Sequence, residues 1–362
     1  MHPRGIRRMA GHAAPQLETP HPAEARAHGE SDRGRQAEAP SDIPAKGWKD
    51  ILWRAAKEFA DDDLAAWARS IAFAGVLALF PGLAAFVAVY GLFADIETAR
   101  AQLASLAGVI PAETAAFIGD QMVRIAQAND TGLGLTFAFG LALSLWSANT
   151  GMKALFKGLN IAYDEEEKRG FLALNLMTLA FTAAAIAFLL VAIGAVVALP
   201  VVVTALGLNG GAQMLTLLRW PALLALVMLG LSALYRYGPS RDKPQWRWVS
   251  WGGAVAAVLW LTGSALFSWY LERFADYDRT YGSLGAVFGF LMWLWLSALV
   301  VLLGAELNAE IEHQTARDTT EGHPQPMGAR GAVVADHLGE SSRGGLLPEP
   351  LRRLLHRRSA PG

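Results

Sequence analysis

The polar residues best suited to chemistry lie at the ends of long uncharged segments. One group is expected at the cytoplasmic edge of a membrane: Arg69, Asn149, Lys153, Arg236, Glu306 and Asn308, the inner-edge cluster. Glu306 stands at the predicted end of a helix, where a carboxylate opposes the helix dipole and needs a cation. Lys153 and Arg236 are the candidate cations, so the pattern predicts an ion pair or gate. A solvated surface glutamate is the alternative interpretation.

A second polar group is expected at the opposite, outer edge and comprises Arg219, Asp278, Arg279 and Tyr281. Arg219 can pair with Asp278 or with a phosphate, or it can simply snorkel to the interface. Gly282, Gly285 and Gly289 follow directly, and the Gly-x-x-x-Gly spacing of the last two allows helix backbones to approach closely. The pattern therefore predicts tight helix packing just beneath a polar rim.

The central part of the chain lacks the side chains of the usual catalytic and metal sites. There is no cysteine, and all eight histidines lie outside residues 29–312. No imidazole or thiolate is therefore available there as a base, nucleophile or metal ligand. The predicted helix centres carry no ionisable residue, which argues against a proton relay at mid-membrane. We accordingly predict no catalytic residue, no metal site and no cofactor.

Six apolar segments must position the edge residues. The spans drawn from uncharged windows are 70–93, 133–153, 171–197, 215–235, 248–270 and 283–304. Most approach or exceed the ~20 residues that a helix needs to cross ~30 Å of hydrocarbon. The chain is 53% hydrophobic and only 17% charged, whereas soluble proteins are about 25% charged. The sequence predicts an all-α polytopic membrane protein, with six transmembrane helices in a domain covering 46–313.

The segments outside this domain are polar and poor in large apolar residues. Residues 1–45 and 314–362 bury too little apolar surface to offset chain entropy, so both are predicted to be disordered tails. The second tail has a basic end, where Arg352, Arg353, Arg357 and Arg358 alternate with leucines. A short helix on an anionic membrane surface is the alternative interpretation of that stretch.

Two further helical regions are predicted from apolar residues at helical spacing. Residues 47–69 form an amphipathic N-terminal entry that suits the headgroup region. The outer loop between the first two spans is predicted to hold two short helices. One contains Leu103 and Leu106, and the other begins at Pro111 and carries Ile118 and Met122.

The distribution of basic residues predicts that both termini are cytoplasmic. Lysine and arginine favour cytoplasmic loops, and the connections after the second and fourth spans are rich in them. These residues are Lys153, Lys157, Lys168, Arg169, Arg236, Arg241, Lys243 and Arg247. The alternate loops hold fewer for their length, which assigns them to the outside.

Several strings, in this order along the chain, resemble the YihY/BrkB family of bacterial inner-membrane proteins. They include Phe80-Pro81, Leu145-Trp146-Ser147-Ala148, Leu159-Asn160-x-Ala162-Tyr163-Asp164, Arg219-Trp220-Pro221, Tyr235-Arg236-Tyr237-Gly238-Pro239, Thr280-Tyr281-Gly282-Ser283-Leu284-Gly285 and Gly304-Ala305-Glu306-Leu307-Asn308. The resemblance spans residues 48–312 and implies six transmembrane helices, an inner-membrane location and no cofactor. Members carry the labels "ribonuclease BN", virulence or serum-resistance factor, and candidate transporter or lipid flippase. The chain departs from the family pattern at Phe73 and Ala74, where tyrosines are usual, and at Asp278, where asparagine is.

These features favour transport or flipping of a lipid or other amphiphile. Charged rims can bind headgroups while tails stay in hydrocarbon, and arginines at both rims favour an anionic headgroup. The expected partners are membrane lipids, and a homo-oligomer is compatible with the sequence. The net charge of −1 predicts no nucleic-acid partner.

Two other functions are weighed against transport. A non-catalytic envelope scaffold is the alternative, with the loop over 96–130 as its docking surface. A ribonuclease is disfavoured, because RNA hydrolysis usually needs a metal cage or an acid–base pair. The one dense acidic run, Asp164 to Glu167, is interpreted as solvated charge.

Overall fold

The computed structural model describes residues 30–90, 112–128, 135–205, 212–274 and 284–342, and every structural statement below concerns these ranges. Within them the regular structure is helical, apart from one isolated bridge between Pro244 and Thr320. The longer helices are α1 Ala45–Asp61, α2 Leu64–Tyr90, α3 Ala112–Ala128, α4 Leu135–Ala162, α5 Phe171–Ala205, α6 Ala212–Tyr237, α7 Trp246–Phe274 and α8 Leu284–Glu312. The prediction of an all-α protein is confirmed for this part of the chain.

Each predicted span coincides over most of its length with one of these helices. Four helical segments are long and apolar enough to cross a membrane: Leu64–Ala85, Phe171–Ala192, Trp246–Leu271 and Val287–Glu312. Pro221–Tyr237 is a shorter apolar segment within α6. The six-span count therefore stays a prediction, although α4 and α6 both exist as helices.

Helix α8 lies at the centre of the bundle. It packs against α7 and α2 most extensively and also contacts α1, α3 and α4. Its sequence is apolar all round as far as Gly304, a pattern typical of a helix surrounded by others. The helix then continues through Glu312, well past the end predicted at 304. This continuation carries Glu306, Glu310 and Glu312 into buried positions.

Helices α7 and α8 approach each other closely at Gly252 and Gly304, where a β-carbon added at Gly252 would overlap the Gly304 carbonyl oxygen. A β-carbon added at Gly304 would overlap the Tyr235 hydroxyl and come within 2.7 Å of the Ala256 side chain. By contrast, a β-carbon added at Gly289 would meet Leu271 at 3.8 Å, an ordinary contact distance. Close backbone approach is thus found at the Gly252–Gly304 crossing, where no Gly-x-x-x-Gly spacing marks it.

Helix α3 matches the second helix predicted for the loop between the first two spans. It packs against α2 and α8, and the Phe117 ring lies 5.9 Å from the ring of Phe290. Met122 is buried, as its apolar spacing indicates. The first loop helix, around Leu103 and Leu106, falls outside the described residues.

The prediction of disordered tails is wrong for residues 30–45 and 314–342. Both segments pack onto the end of the bundle where α8 terminates, and Asp50 of α1 ties them together. Its buried carboxylate accepts hydrogen bonds from Arg33 Nη1 at 2.7 Å and from Ser342 Oγ at 2.8 Å. Burial alone would raise the pKa of Asp50, but these bonds hold it below its usual value. The few apolar residues of these segments are buried against the helices, among them Ala37, Ile43 and Val334, and ion pairs position the polar groups around them. Residues 1–29 and 343–362 lie outside the described ranges.

We predict that Asp50→Ala loosens both tail segments at once. The substitution removes the shared acceptor of Arg33 and Ser342, and breaking a buried ion pair costs about 3 kcal/mol of unfolding free energy. Thermal unfolding and limited proteolysis near residue 340 measure the effect. Asp32→Ala is the matched control, because its ion pair with Lys46 is exposed and solvent screening leaves it little effect on stability. Equal protease resistance of the two variants would contradict the packed arrangement.

We also predict that Gly304→Ala destabilises the bundle by about 1–3 kcal/mol, because the added methyl group overpacks the contact with α7. Gly289→Ala serves as the control, since the space beside Leu271 admits a methyl group. The control variant is expected to be neutral or slightly more stable, because alanine favours helix over glycine. Detergent-solubilised thermal unfolding distinguishes the two, and the reverse ranking would refute the assignment of the close crossing.

Candidate functional site at the polar end of the bundle

Charged side chains concentrate at one end of the bundle, which we call the polar end. It comprises residues 30–63, 160–171, 236–246 and 306–342. The first of its buried ion pairs joins Glu310 of α8 to Arg54 of α1, and both side chains are at most 4% exposed. Arg54 also donates from Nη2 to the Gln314 side-chain oxygen at 2.9 Å. These contacts join α1 to the C-terminal end of α8.

A second buried pair joins Glu312 to Arg241 of the loop between α6 and α7. The guanidinium binds both carboxylate oxygens, with Nη2 to Oε2 at 2.7 Å and Nη1 to Oε1 at 3.2 Å. Thr319 donates a further hydrogen bond to Oε2 at 2.7 Å. The Arg241 guanidinium also lies 5.1 Å from the centroid of the Tyr163 ring. This bidentate geometry gives the pair a fixed orientation as well as charge neutralisation.

The partners proposed for Glu306 are not the ones found. Arg236 forms an ion pair with Glu321 and lies 4.9 Å from the Trp246 ring centroid. Lys153 lies over the ring of Trp146 at 5.2 Å. Glu306 is 2% exposed, and its Oε2 atom has no hydrogen-bond partner in the described residues. The predicted ion pair is therefore absent there, because both candidate cations are turned toward other groups.

The other members of the inner-edge cluster are also separated from one another. Asn308 accepts a hydrogen bond from the Gly252 backbone and donates one to Val249, so it links α8 to α7. Asn149 is buried and accepts a hydrogen bond from Thr182 at 3.4 Å. Arg69 is exposed. The structure thus distributes the six predicted residues over several environments and does not bring them into one site.

The predicted outer-edge cluster is left untested. Asp278, Arg279, Tyr281 and Gly282 lie outside the described residues. Arg219 belongs to α6, and its side chain is not described. Gly285 and Gly289 are buried within α8.

The loop between α4 and α5 carries the acidic run that was interpreted as solvated charge. Two of its members are paired within the fold. Glu167 binds Arg169 Nε at 2.7 Å and Asn160 Nδ2 at 3.0 Å. Burial would raise the pKa of Glu167, but these hydrogen bonds hold it at about 2. Glu165 binds Lys168 Nζ at 2.7 Å and the Val333 backbone at 2.8 Å. The solvated interpretation is therefore wrong for Glu165, which is buried, whereas Glu167 stays exposed while it pairs with Arg169.

A pocket of about 270 Å³ opens at the polar end beside α5, and we call it the basic pocket. Its charged lining residues are Lys168, Arg169, Arg236, Arg241, Lys243 and Asp242. Met177 of α5 and Tyr237 of α6 supply apolar surface. Sequence reasoning assigned these cations to cytoplasmic loops but did not bring them together, since they come from two separate connections.

A second pocket, of about 290 Å³, has a mixed lining that includes Lys57, Glu58, Asp164, His313 and His337. Asp62 lies close to two carboxylates of this lining, Glu58 and Asp164. Burial, with the charges of Asp164 and Glu58, raises the pKa of Asp62 to about 6. Across the described ranges, no group of three or more His, Asp or Glu residues has an arrangement that could hold a metal ion.

The long apolar helices are typical of a membrane protein, and four helical segments of the described residues are long enough to cross a bilayer. The chain belongs to the family described as virulence factor BrkB, whose model matches residues 55–328. The resemblance to the YihY/BrkB family is thereby confirmed.

Three curated relatives carry different names. Ribonuclease-like protein YfkH of Bacillus subtilis is 36% identical over 185 residues, which are 49% of this chain and 66% of that protein. UPF0761 membrane protein MS0032 of Mannheimia succiniciproducens is 34% identical over 29% of this chain and 34% of its own length. UPF0761 membrane protein NMB0524 of Neisseria meningitidis serogroup B is 37% identical over 29% of this chain and 26% of its own length. The matches thus span less than two thirds of these relatives, and no solved structure matches the chain.

We predict that Glu306→Gln and Glu310→Gln differ sharply in stability. Glu310 neutralises buried Arg54, so its loss leaves an uncompensated buried cation and costs about 3–5 kcal/mol. Glu306 has no cation within hydrogen-bond reach in the described residues, so the neutral amide is expected to be tolerated or stabilising. Thermal unfolding of the two purified variants provides the comparison. A comparable loss for Glu306→Gln would restore the ion-pair or gate hypothesis for that residue.

Proposed function

We propose that this protein moves an amphiphile with an anionic headgroup across a bacterial inner membrane. In this proposal six helices span the bilayer and both termini are cytoplasmic, so the polar end faces the cytoplasm. The protein acts without a chemical reaction on its substrate. The observation that carries the proposal is the basic pocket, where five cationic side chains converge beside an apolar helix.

The basic pocket has the chemistry that a headgroup requires. Its cations are already engaged with protein carboxylates, carbonyl groups or rings, which holds them in place. Arg169, for example, donates to the Gly238 carbonyl at 2.7 Å, and Lys243 lies 5.4 Å from the Tyr237 ring centroid. Basic pockets on the cytoplasmic side of transmembrane helices are a recurrent means of binding anionic lipid headgroups.

The helix centres supply the complementary property for the tails. Residues 171–205 of α5 and 248–271 of α7 contain no Asp, Glu, Lys, Arg or His. Large apolar side chains on these helices face outward, among them Leu172, Leu176 and Leu266. Acyl chains can therefore remain in hydrocarbon while the headgroup contacts the polar end, which is the separation that an amphiphile needs.

We predict that the reconstituted protein accelerates the transbilayer movement of fluorescent phosphatidylglycerol above the rate in protein-free vesicles. Lys243→Gln is expected to slow this movement about fivefold, because one cation near the surface contributes ~1 kcal/mol to anionic lipid binding. Lys46→Gln is the matched control, since Lys46 is exposed and pairs with Asp32 away from the pocket.

Two results would count against the proposal. Equal rates of phosphatidylglycerol movement in vesicles with and without the protein would exclude transport of this lipid. Cleavage of RNA by protein of the same purity, without lipid movement, would favour the activity suggested by the ribonuclease-like relative's name. The two assays use the same full-length preparation, so they can be compared directly.

A further inference from the structure

A third cavity, of about 390 Å³, lies between α4 and α5 at the polar end, and we call it the lysine cavity. Lys153 and Lys157 of α4 line it together with Phe156, Ile161 and Leu174. The two lysines are four residues apart on one helix, a spacing that places side chains on the same face. The cavity therefore combines two cations with an apolar wall.

Among the described residues the two lysines contact aromatic rings and have no anionic partner. Lys153 Nζ lies 5.2 Å from the Trp146 ring centroid, and Lys157 Nζ lies 4.9 Å from that of Trp67. No carboxylate of the described residues forms an ion pair with either ammonium group. This distinguishes them from Arg54 and from four cations of the basic pocket, each of which forms an ion pair with a carboxylate: Lys168, Arg169, Arg236 and Arg241.

The carboxylates in the cavity wall are committed elsewhere. Glu165 is bound to Lys168, and Glu167 is bound to Arg169 and Asn160. Each wall carboxylate thus has its own cation, and neither is left to neutralise the lysine pair. Lys153 is half-buried and Lys157 is exposed, so both ammonium groups are accessible to an anion from outside the protein.

The position of the cavity favours a lipid phosphate as that anion. Lys153 lies nine residues before the end of α4, which is about 14 Å along the helix axis. Lys153 is also the last residue of the predicted span 133–153, so its ammonium group is expected at headgroup level, where lipid phosphates lie. Phe171, Leu172 and Leu176 at the start of α5 are strongly exposed and can contact acyl chains.

We propose that the lysine cavity binds the phosphate of an anionic glycerophospholipid, with Lys153 and Lys157 as its ligands and the acyl chains along α4 and α5. This inference rests on the proposed function and deepens it by naming the entry site and the class of lipid. Trp146 and Trp67 hold the ammonium groups in place through cation–π contacts until the phosphate arrives.

The test measures lipid retention rather than transport. Full-length protein is extracted from vesicles of phosphatidylglycerol and phosphatidylcholine in equal amounts, and native mass spectrometry counts the lipids that stay bound. The double variant Lys153→Ala/Lys157→Ala is expected to lower the affinity for phosphatidylglycerol about 30-fold, because each cation contributes ~1 kcal/mol near the surface. The double variant Lys153→Arg/Lys157→Arg is expected to retain the lipid, which separates loss of charge from loss of fold.

Arg69→Ala is the matched control, because Arg69 is an exposed cation on neighbouring α2. An equal loss of phosphatidylglycerol in this variant would overturn the site in favour of general surface charge. Unchanged retention in the double alanine variant would also overturn it. So would tight binding of inorganic phosphate by lipid-free protein with the same lysine dependence, because the ligand would then be a soluble anion.

The outcomes separate the inference from the proposed function. If lipid retention does not depend on the two lysines but lipid movement continues, the lysine site is refuted and the proposed transport function stands. Lysine-dependent retention without lipid movement would support the site and count against transport, leaving a structural lipid.

Discussion

The structure depends on the burial of carboxylates in the last turns of α8. A helix C-terminus disfavours negative charge, and removing a carboxylate from water costs several kcal/mol, so these turns are stable only with cations supplied from elsewhere. Arg54 and Arg241 supply them, one from α1 and the other from the loop between α6 and α7. Helix α1 and the loop between α6 and α7 must therefore both pack onto the end of α8 before its carboxylates are neutralised. The polar segments 30–45 and 313–342 are ordered around the same end, where Ala37, Ile43 and Val334 are buried and Arg33 binds Asp50.

The same requirement organises the candidate sites. The segment 313–342 that covers the end of α8 also contributes Gly331 to the basic pocket, and its Glu321 binds Arg236 there. Glu321 therefore neutralises part of the positive charge that an anionic headgroup would meet in this pocket. The lysine cavity differs because its two ammonium groups rest on aromatic rings instead of carboxylates. Within the described residues the polar end thus contains the basic pocket, where Lys243 rests on a ring and the other cations are positioned by carboxylates, and the lysine cavity, whose two lysines form no ion pair.

Family membership fits this separation of polar and apolar chemistry without selecting an activity. The relatives carry a ribonuclease-like name in one case and a membrane-protein name in others. Residues that bear on mechanism therefore have to be judged by their surroundings in this chain. Glu306 illustrates the point, since its buried, unpartnered oxygen distinguishes it from Glu310, one turn further along the same helix.

The sequence by itself determined the helices, because long runs without charge are compatible with hydrocarbon only when the backbone bonds to itself within a helix. It also determined that ionisable groups would gather at the helix ends, and family membership followed from its motifs. Only the tertiary structure decided which charges meet. Arg54 and Glu310 are 256 positions apart, and no local pattern links residues so distant. The order of residues 30–45 and 314–342 escaped prediction for the same reason, since composition does not show that Ala37, Ile43 and Val334 are buried against distant helices or that Arg33 binds Asp50. The crossing at Gly252 and Gly304 likewise depends on how two helices approach in space, which residue spacing within one helix does not specify.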